Sequence, residues 1–175
     1  MFEMFMPRLR VNTVFDIDLD DLYAKGYRGI ITDLDNTLVG AKEPNATPEL
    51  VVWFEKVKKA GFKLVIVSNN NMDRVSLFAT PLDIEFIHAA RKPSNAPFRK
   101  AMSMMELTPE QTIVVGDQMM TDVFGGNRLG LHTVLVLPIS LHDEGWTTRI
   151  NRGLERIALS QLRRKGIWNE EEKKK

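Results

Sequence analysis

Short, nearly continuous apolar runs recur along the chain and alternate with stretches of mixed polarity. Gly29-Ile30-Ile31-Thr32, Lys63-Leu64-Val65-Ile66-Val67, Glu85-Phe86-Ile87, Thr112-Ile113-Val114-Val115 and Thr133-Val134-Leu135-Val136-Leu137 are rich in β-branched residues. Runs of that length and content predict strands buried on both faces. Between the first two, Leu50, Phe54 and Val57 recur at helical spacing behind Thr47-Pro48, an N-cap and first-turn pair, and Gly61 stops the helix. Residues 94–106 read as another helix, on which Met102 and Met105 serve as core filler rather than sulfur ligands. Thr108-Pro109-Glu110-Gln111 forms a capping box ahead of the fourth run, and Gly125-Gly126 and Gly130 punctuate the helix after it. Strands alternating with helices predict an α/β fold, a three-layer sandwich around a central parallel sheet.

In such a sheet, ligands bind in the crevice beyond the carboxyl ends of the strands, so the residues that follow each run test whether the chain has a site. The first run delivers Asp33-Leu34-Asp35-Asn36-Thr37-Leu38. Residues two apart on a strand share a face, so Asp33 and Asp35 can converge. Two like charges about 4 Å apart repel by roughly 4 kcal/mol at an effective dielectric near 20, which implies a divalent cation or a shared proton. The second run delivers Ser68-Asn69-Asn70-Asn71 just before a helix N-terminus, a setting of hydroxyl, amides and free N–H donors that suits phosphate. The third is followed by Arg91-Lys92-Pro93. The fourth ends in Gly116-Asp117, and a helix beginning near Met119 places Asp122 in its first turn, facing the same crevice. Each has an ordinary explanation alone: an acidic turn, a helix cap, a solvated lysine, an acid at a helix dipole. Four strand ends acquiring carboxylate, hydroxyl, cation and carboxylate together favour a site.

The bulk numbers narrow the class. At 175 residues with 43 % hydrophobic content, the chain fits one domain with a sizeable core. The absence of cysteine removes disulfides, thiolate metal sites and thiol nucleophiles together, and suits a reducing compartment. No basic start with an apolar stretch marks a signal peptide, and no run reaches the ~20 apolar residues of a membrane span. The expected location is cytoplasmic, at most peripheral on the inner face of the membrane. Residues 1–148 hold 15 Lys and Arg against 19 Asp and Glu, a net −4, whereas residues 149–175 hold 9 against 4, a net +5.

The four elements, in order, resemble the motifs of the haloacid dehalogenase (HAD) superfamily: Asp33-x-Asp35-x-Thr37, Ser68, Lys92 and Gly116-Asp117-x-x-x-x-Asp122. Within it the chain looks like the capless type IIIA phosphatases and their YqeG-like group, related to mitochondrial phosphatidylglycerophosphate phosphatases; Asp33-Leu34-Asp35-Asn36-Thr37-Leu38, Ser68-Asn69-Asn70 and Thr148-Arg149-Ile150-Asn151-Arg152 carry that finer match. The resemblance implies Asp33 as nucleophile, forming an aspartyl-phosphate, and Asp35 as the acid that protonates the leaving alcohol and then takes a proton from water. For that, Asp35 should begin protonated. It implies Mg²⁺ held by Asp33, the Asp35 carbonyl and Asp117, with Asp122 as a further ligand or an orienting residue. Ser68, Asn69 and Lys92 would bind phosphoryl oxygens, and Thr37 and Gly116 would support the site. An acid at position 35 also discriminates: dehalogenases of the superfamily lack it and transport ATPases carry Thr there.

Only 32 residues separate Asp35 from Ser68, and 23 separate Ser68 from Lys92, too few for a cap domain at either insertion point. An open site admits a bulky or membrane-borne phosphate ester, and is compatible with an oligomer supplying a lid. The domain is expected over residues 1–165, with core motifs in 29–137, a basic helix over about 145–165 and a flexible charged tail over 166–175. That helix, with Ile150, Leu154, Ile157 and Leu162 on one stripe, would pack on the core or lie on anionic lipid, and Arg149 and Arg152 are candidates for gripping substrate or membrane. Trp146 reads as a packing anchor, and Phe2 and Phe5 as a self-packed terminus or a lipid contact. The leading expectation is a phosphomonoesterase acting on phosphatidylglycerophosphate or a similar lipid head group. The alternatives are a phosphatase of a soluble nucleotide, sugar phosphate or phosphoprotein, and a non-catalytic protein binding RNA or a GTPase. Nothing both aromatic-rich and basic offers a nucleic-acid platform.

Overall fold

The computed structural model describes residues 2–140. Six strands form one parallel sheet: β1 Leu9–Val11, β2 Gly29–Thr32, β3 Lys63–Val67, β4 Glu85–Ile87, β5 Thr112–Gly116 and β6 His132–Val136, in the order β1-β6-β5-β2-β3-β4. The five apolar runs are β2 to β6. The sequence pattern misses β1, a three-residue edge strand with a charged residue, Arg10, at its centre, and α1 (Leu19–Ala24), capped by Asp18 accepting from the Asp21 N–H.

Alternation along the strands divides the core in two. Ile30, Ile66, Ile113 and Val115 face one layer, where α2 (Pro48–Lys59) and α3 (Met72–Ala79) contribute Leu50, Trp53, Val57, Val75 and Phe78. Ile31, Val65, Val67 and Val114 face the other, filled from α4 (Asn95–Met105) by Phe98, Ala101, Met102 and Met105. Each large side chain buried there contributes about 1.5–3 kcal/mol, and both methionines are core filler. The expected helix boundaries hold: Thr47 caps α2 by accepting from the Leu50 N–H, Gly61 follows its end at φ 90°, and Ser94 precedes α4. The helix expected after β5 is shorter and irregular, a π turn over Met119–Val123 followed by α5 (Phe124–Asn127).

From β2 the chain moves outward through β3 to β4, then returns to β5 on the other side of β2. The order reverses between β2 and β5, which makes the carboxyl end of that pair the crevice where ligands bind. No inserted domain covers this edge among the described residues. The N-terminus is packed on the body: Phe5 stacks on Phe124 with centroids 4.7 Å apart, and the Asn127 side-chain amide donates to the carbonyls of Met4 and Met6. No helix among the described residues is long and apolar enough to cross a membrane. The expected basic helix over about 145–165, with Trp146, Arg149 and Arg152, and the tail at 166–175 lie outside the described residues.

Candidate active site

The site is built outward from the switch point. The β2–β5 ladder continues one step past the strand, with the Asp33 N–H donating to the Val115 carbonyl at 2.9 Å, so Asp33 is held as rigidly as the sheet. The chain then turns sharply: the N–H groups of Thr37 and Leu38 return to the Leu34 carbonyl, with Asn36 at φ 64°, a left-handed conformation that Asn tolerates better than most residues. Thr37, buried by this turn, donates its hydroxyl to Asp117 Oδ1 at 3.2 Å. Asp117 immediately follows β5, and the irregular turn after it supplies Asp122.

Asp33, Asp117 and Asp122 each bring a carboxylate oxygen into one cluster, with those atoms within 4.8 Å of one another, and all three residues are buried. Lys92, also buried, lies between two of them, 2.9 Å from Asp33 Oδ1 and 2.7 Å from Asp122 Oδ1. Burial pushes the Lys92 ammonium down, but the facing Asp122 and Asp33 carboxylates outweigh it and hold the group above the ordinary lysine value. Burial pushes Asp122 up to about 6; Lys92 pulls against that, and the nearby Asp33 charge adds to it. Three acids against one cation leave the cluster two charges short of neutrality, and the three are oxygen donors. Hard oxygen donors with that deficit fit a divalent cation such as Mg²⁺. Asp122 is also tied to the backbone, its Oδ2 accepting from the Gln118 N–H at 3.2 Å. Its carboxyl group lies against Gly116, where a Cβ would overlap it, so the glycine at the end of β5 makes room for the acid.

Loop packing positions Lys92. The Asn69 amide oxygen accepts from the Lys92 N–H at 2.7 Å, and its amide nitrogen donates to the Lys92 carbonyl at 3.2 Å. The N–H groups of Ala89 and Ala90 donate to the Asn70 and Ser68 carbonyls, joining the two loops further. Ala89 and Arg91 adopt φ 45° and 57°, a conformation costly for residues with a Cβ, and these bonds hold it. Asn69, expected to bind phosphate, thus uses its amide oxygen and one of its two amide protons to hold the Lys92 backbone. Ser68 is buried, and its hydroxyl oxygen accepts from the Asn70 N–H, which leaves the hydroxyl proton to donate.

Asp35 departs from expectation most. Its carboxylate is not one of the three clustered acids, so the crowding that makes the site costly is between Asp33, Asp117 and Asp122. Instead Asp35 Oδ1 receives Arg74 Nε at 3.0 Å and Nη2 at 2.9 Å, and Oδ2 receives the Asn70 amide at 2.9 Å. Three donors, two of them from one guanidinium, meet this carboxylate, where the sequence leads one to expect neighbouring acids. A metal contact through Asp35 would have to use its carbonyl oxygen, as the sequence reading has it. The sequence motifs do not include Arg74. A cation in a first helical turn opposes the helix dipole, and that misplaced charge was the signal that an acid must face it.

A strand-end carboxylate, a lysine, a hydroxyl and an acid cluster fit for a divalent cation, gathered at the switch point of a parallel sheet, suit a phosphoryl-transfer enzyme. Comparison with known proteins agrees. The HAD-hydrolase-like family model matches residues 89–139. A probable phosphatase, YqeG, of Bacillus subtilis is 51 % identical over 96 % of this chain and 98 % of its own length. A chloroplastic and mitochondrial phosphatidylglycerophosphate phosphatase of Arabidopsis thaliana is 30 % identical over 94 % of this chain, which spans about half that protein's length. Among solved structures, a p-nitrophenyl phosphatase from Archaeoglobus fulgidus superposes with a TM-score of 0.51 at 17 % identity, over 74 % of this chain and 92 % of that one, a likeness of fold. The chain belongs to the HAD phosphatases, in their YqeG-like group.

Proposed function

We propose that the protein is a Mg²⁺-dependent phosphomonoesterase that works through an aspartyl-phosphate on Asp33 and acts on phosphatidylglycerophosphate or a similar lipid head group. The observation that carries the reading is the buried cluster of Asp33, Asp117 and Asp122 with Lys92 between Asp33 and Asp122. Asp33 attacks phosphorus in line and the ester oxygen leaves, splitting one displacement into two. Lys92 and the Ser68 hydroxyl hold the transferred oxygens and stabilise the charge that spreads over them. Asp35, hydrogen-bonded by Asn70 and Arg74, gives a proton to the leaving alcohol and then takes one from the water that hydrolyses the acyl phosphate. Asp33, Asp117 and the Asp35 carbonyl would hold Mg²⁺, which would supply positive charge against the acids and the incoming phosphate. Asp122 keeps Lys92 in place.

The lipid preference rests on the uncovered strand edge and on the Arabidopsis relative. Arg149 and Arg152 remain candidates for a head-group or membrane contact. The intact constellation favours hydrolysis over a non-catalytic binding role. A substrate panel with and without Mg²⁺ tests the reading. Phosphate release from phosphatidylglycerophosphate in vesicles should far exceed that from nucleotides, sugar phosphates and phosphopeptides, and should stop in EDTA. Equal slow rates on every ester would remove the lipid assignment, and wild-type rates in Asp33→Asn would remove the covalent mechanism.

A further inference from the structure

Arg74 does more than balance a charge. It sits in the first turn of α3 with a side chain only 13 % exposed. Nε and Nη2 meet Asp35, Nη2 makes one long contact of 3.4 Å to the Gly40 carbonyl, and Nη1 is buried with no hydrogen-bond partner among the described residues. A guanidinium carries five donor hydrogens in a fixed fork, and a buried donor left unpaired is costly, so such an atom calls for a ligand.

Topology says which end of the substrate Arg74 would meet. Asp33 and Lys92 serve the transferred phosphoryl group. Asp35, as acid and base, must come within hydrogen-bond reach of the oxygen joining phosphorus to the leaving alcohol. Arg74, in direct contact with Asp35, therefore borders the leaving group.

We infer that Arg74 reads a second anionic group on the leaving alcohol: the preferred substrate is a phosphomonoester whose alcohol carries another phosphate or phosphodiester a few bonds from the scissile one. The inference rests on the proposed role of Asp35. A guanidinium fork matches phosphate oxygens two at a time. When the second anion engages the fork, it competes with Asp35 for the guanidinium, and the carboxyl is freed to turn toward the ester oxygen. An ester without that anion leaves Asp35 tied to Arg74. A lipid head group with two phosphates and a soluble bisphosphate share this chemistry.

The test compares propane-1,3-diol monophosphate with propane-1,3-diol bisphosphate on the Mg²⁺-loaded full chain, as wild type, Arg74→Lys and Arg74→Gln. Phosphatidylglycerophosphate in detergent micelles and in vesicles forms the lipid arm. The wild type should prefer the bisphosphate in kcat/KM by about ten- to a hundredfold, the scale of a hydrogen bond to a charged group. Arg74→Gln should abolish that preference and Arg74→Lys should keep part of it. A purely structural role would lower both esters alike, and that result would overturn the inference. Lengthening the spacer from three to eight carbons in the wild type should remove the preference, a readout that stands even if Arg74→Gln does not fold; an unchanged preference would also overturn the inference. Equal sensitivity of soluble and lipid bisphosphates to Arg74→Gln would identify the anion itself as what is read; sensitivity confined to vesicles would refute the contact in favour of a surface effect. Cleavage of both esters with no Arg74-dependent preference defeats this inference alone, whereas no cleavage of any ester defeats the phosphatase mechanism beneath it.

Discussion

Replacing Lys92 with Met should destabilise the metal-free protein more than any other single change at the site. The ammonium stands 2.9 Å from Asp33 and 2.7 Å from Asp122, with all three groups buried. At an effective dielectric near 20, each contact at that distance is worth roughly 6 kcal/mol of Coulomb attraction. The observed loss should be smaller, because desolvation already offsets much of the attraction and because Asp122, pushed up to about 6, can take a proton when Lys92 is gone. Breaking a buried pair by removing one partner typically costs about 3–5 kcal/mol, which for a chain of this size lowers Tm by roughly 6–20 °C. Urea unfolding in EDTA at pH 8 measures the cost, and a cycle with Asp122→Asn isolates the pair. The double variant should recover part of the loss, since the uncompensated carboxylate is gone. The loss from Lys92→Met should also shrink toward pH 5 as the stranded acids protonate. A loss below about 1 kcal/mol, or one unchanged by Asp122→Asn, would refute the view that these charges depend on one another.

Asp122 itself gives a pH signature. Its folded pKa lies above the unfolded value, so the stabilisation that goes with its proton is fully present below pH 4 and is lost as pH rises through about 6, an effect of order 3 kcal/mol at most; Asp122→Asn should flatten this part of the metal-free stability profile. Asp35→Asn should cut turnover by about 10²–10⁴-fold with the fold intact by circular dichroism, and a fall under about threefold would argue against proton transfer by this residue. Asn69→Ala removes both bonds to the Lys92 backbone and should raise KM while costing about 1–2 kcal/mol in denaturant unfolding, with Asn69→Asp, which retains only the acceptor, falling in between. Gly116→Ala should displace Asp122, and Lys92 with it, so activity should fall further than stability.

By itself the sequence determined five of the six strands, the principal helices and the strand ends that gather polar and charged residues. Those features are written locally: a buried parallel strand is a run of β-branched residues, a helix start is a cap with Pro behind it, and an acid at a strand end has few reasons to be there. Even Gly116 and Asp122 were legible from their spacing. What only the tertiary structure decided is which charges meet. Asp33 and Asp35 are two residues apart, yet Asp33 is grouped with Asp117 and Asp122 from the segment after β5, whereas Asp35 faces Arg74 and Asn70 from the β3–α3 corner. Asn69 reads as a phosphate ligand in the sequence, and only the fold shows that it also holds the Lys92 loop. Coulomb and hydrogen-bond energies depend on separations of a few ångströms between residues tens of positions apart, and chain spacing does not carry that distance.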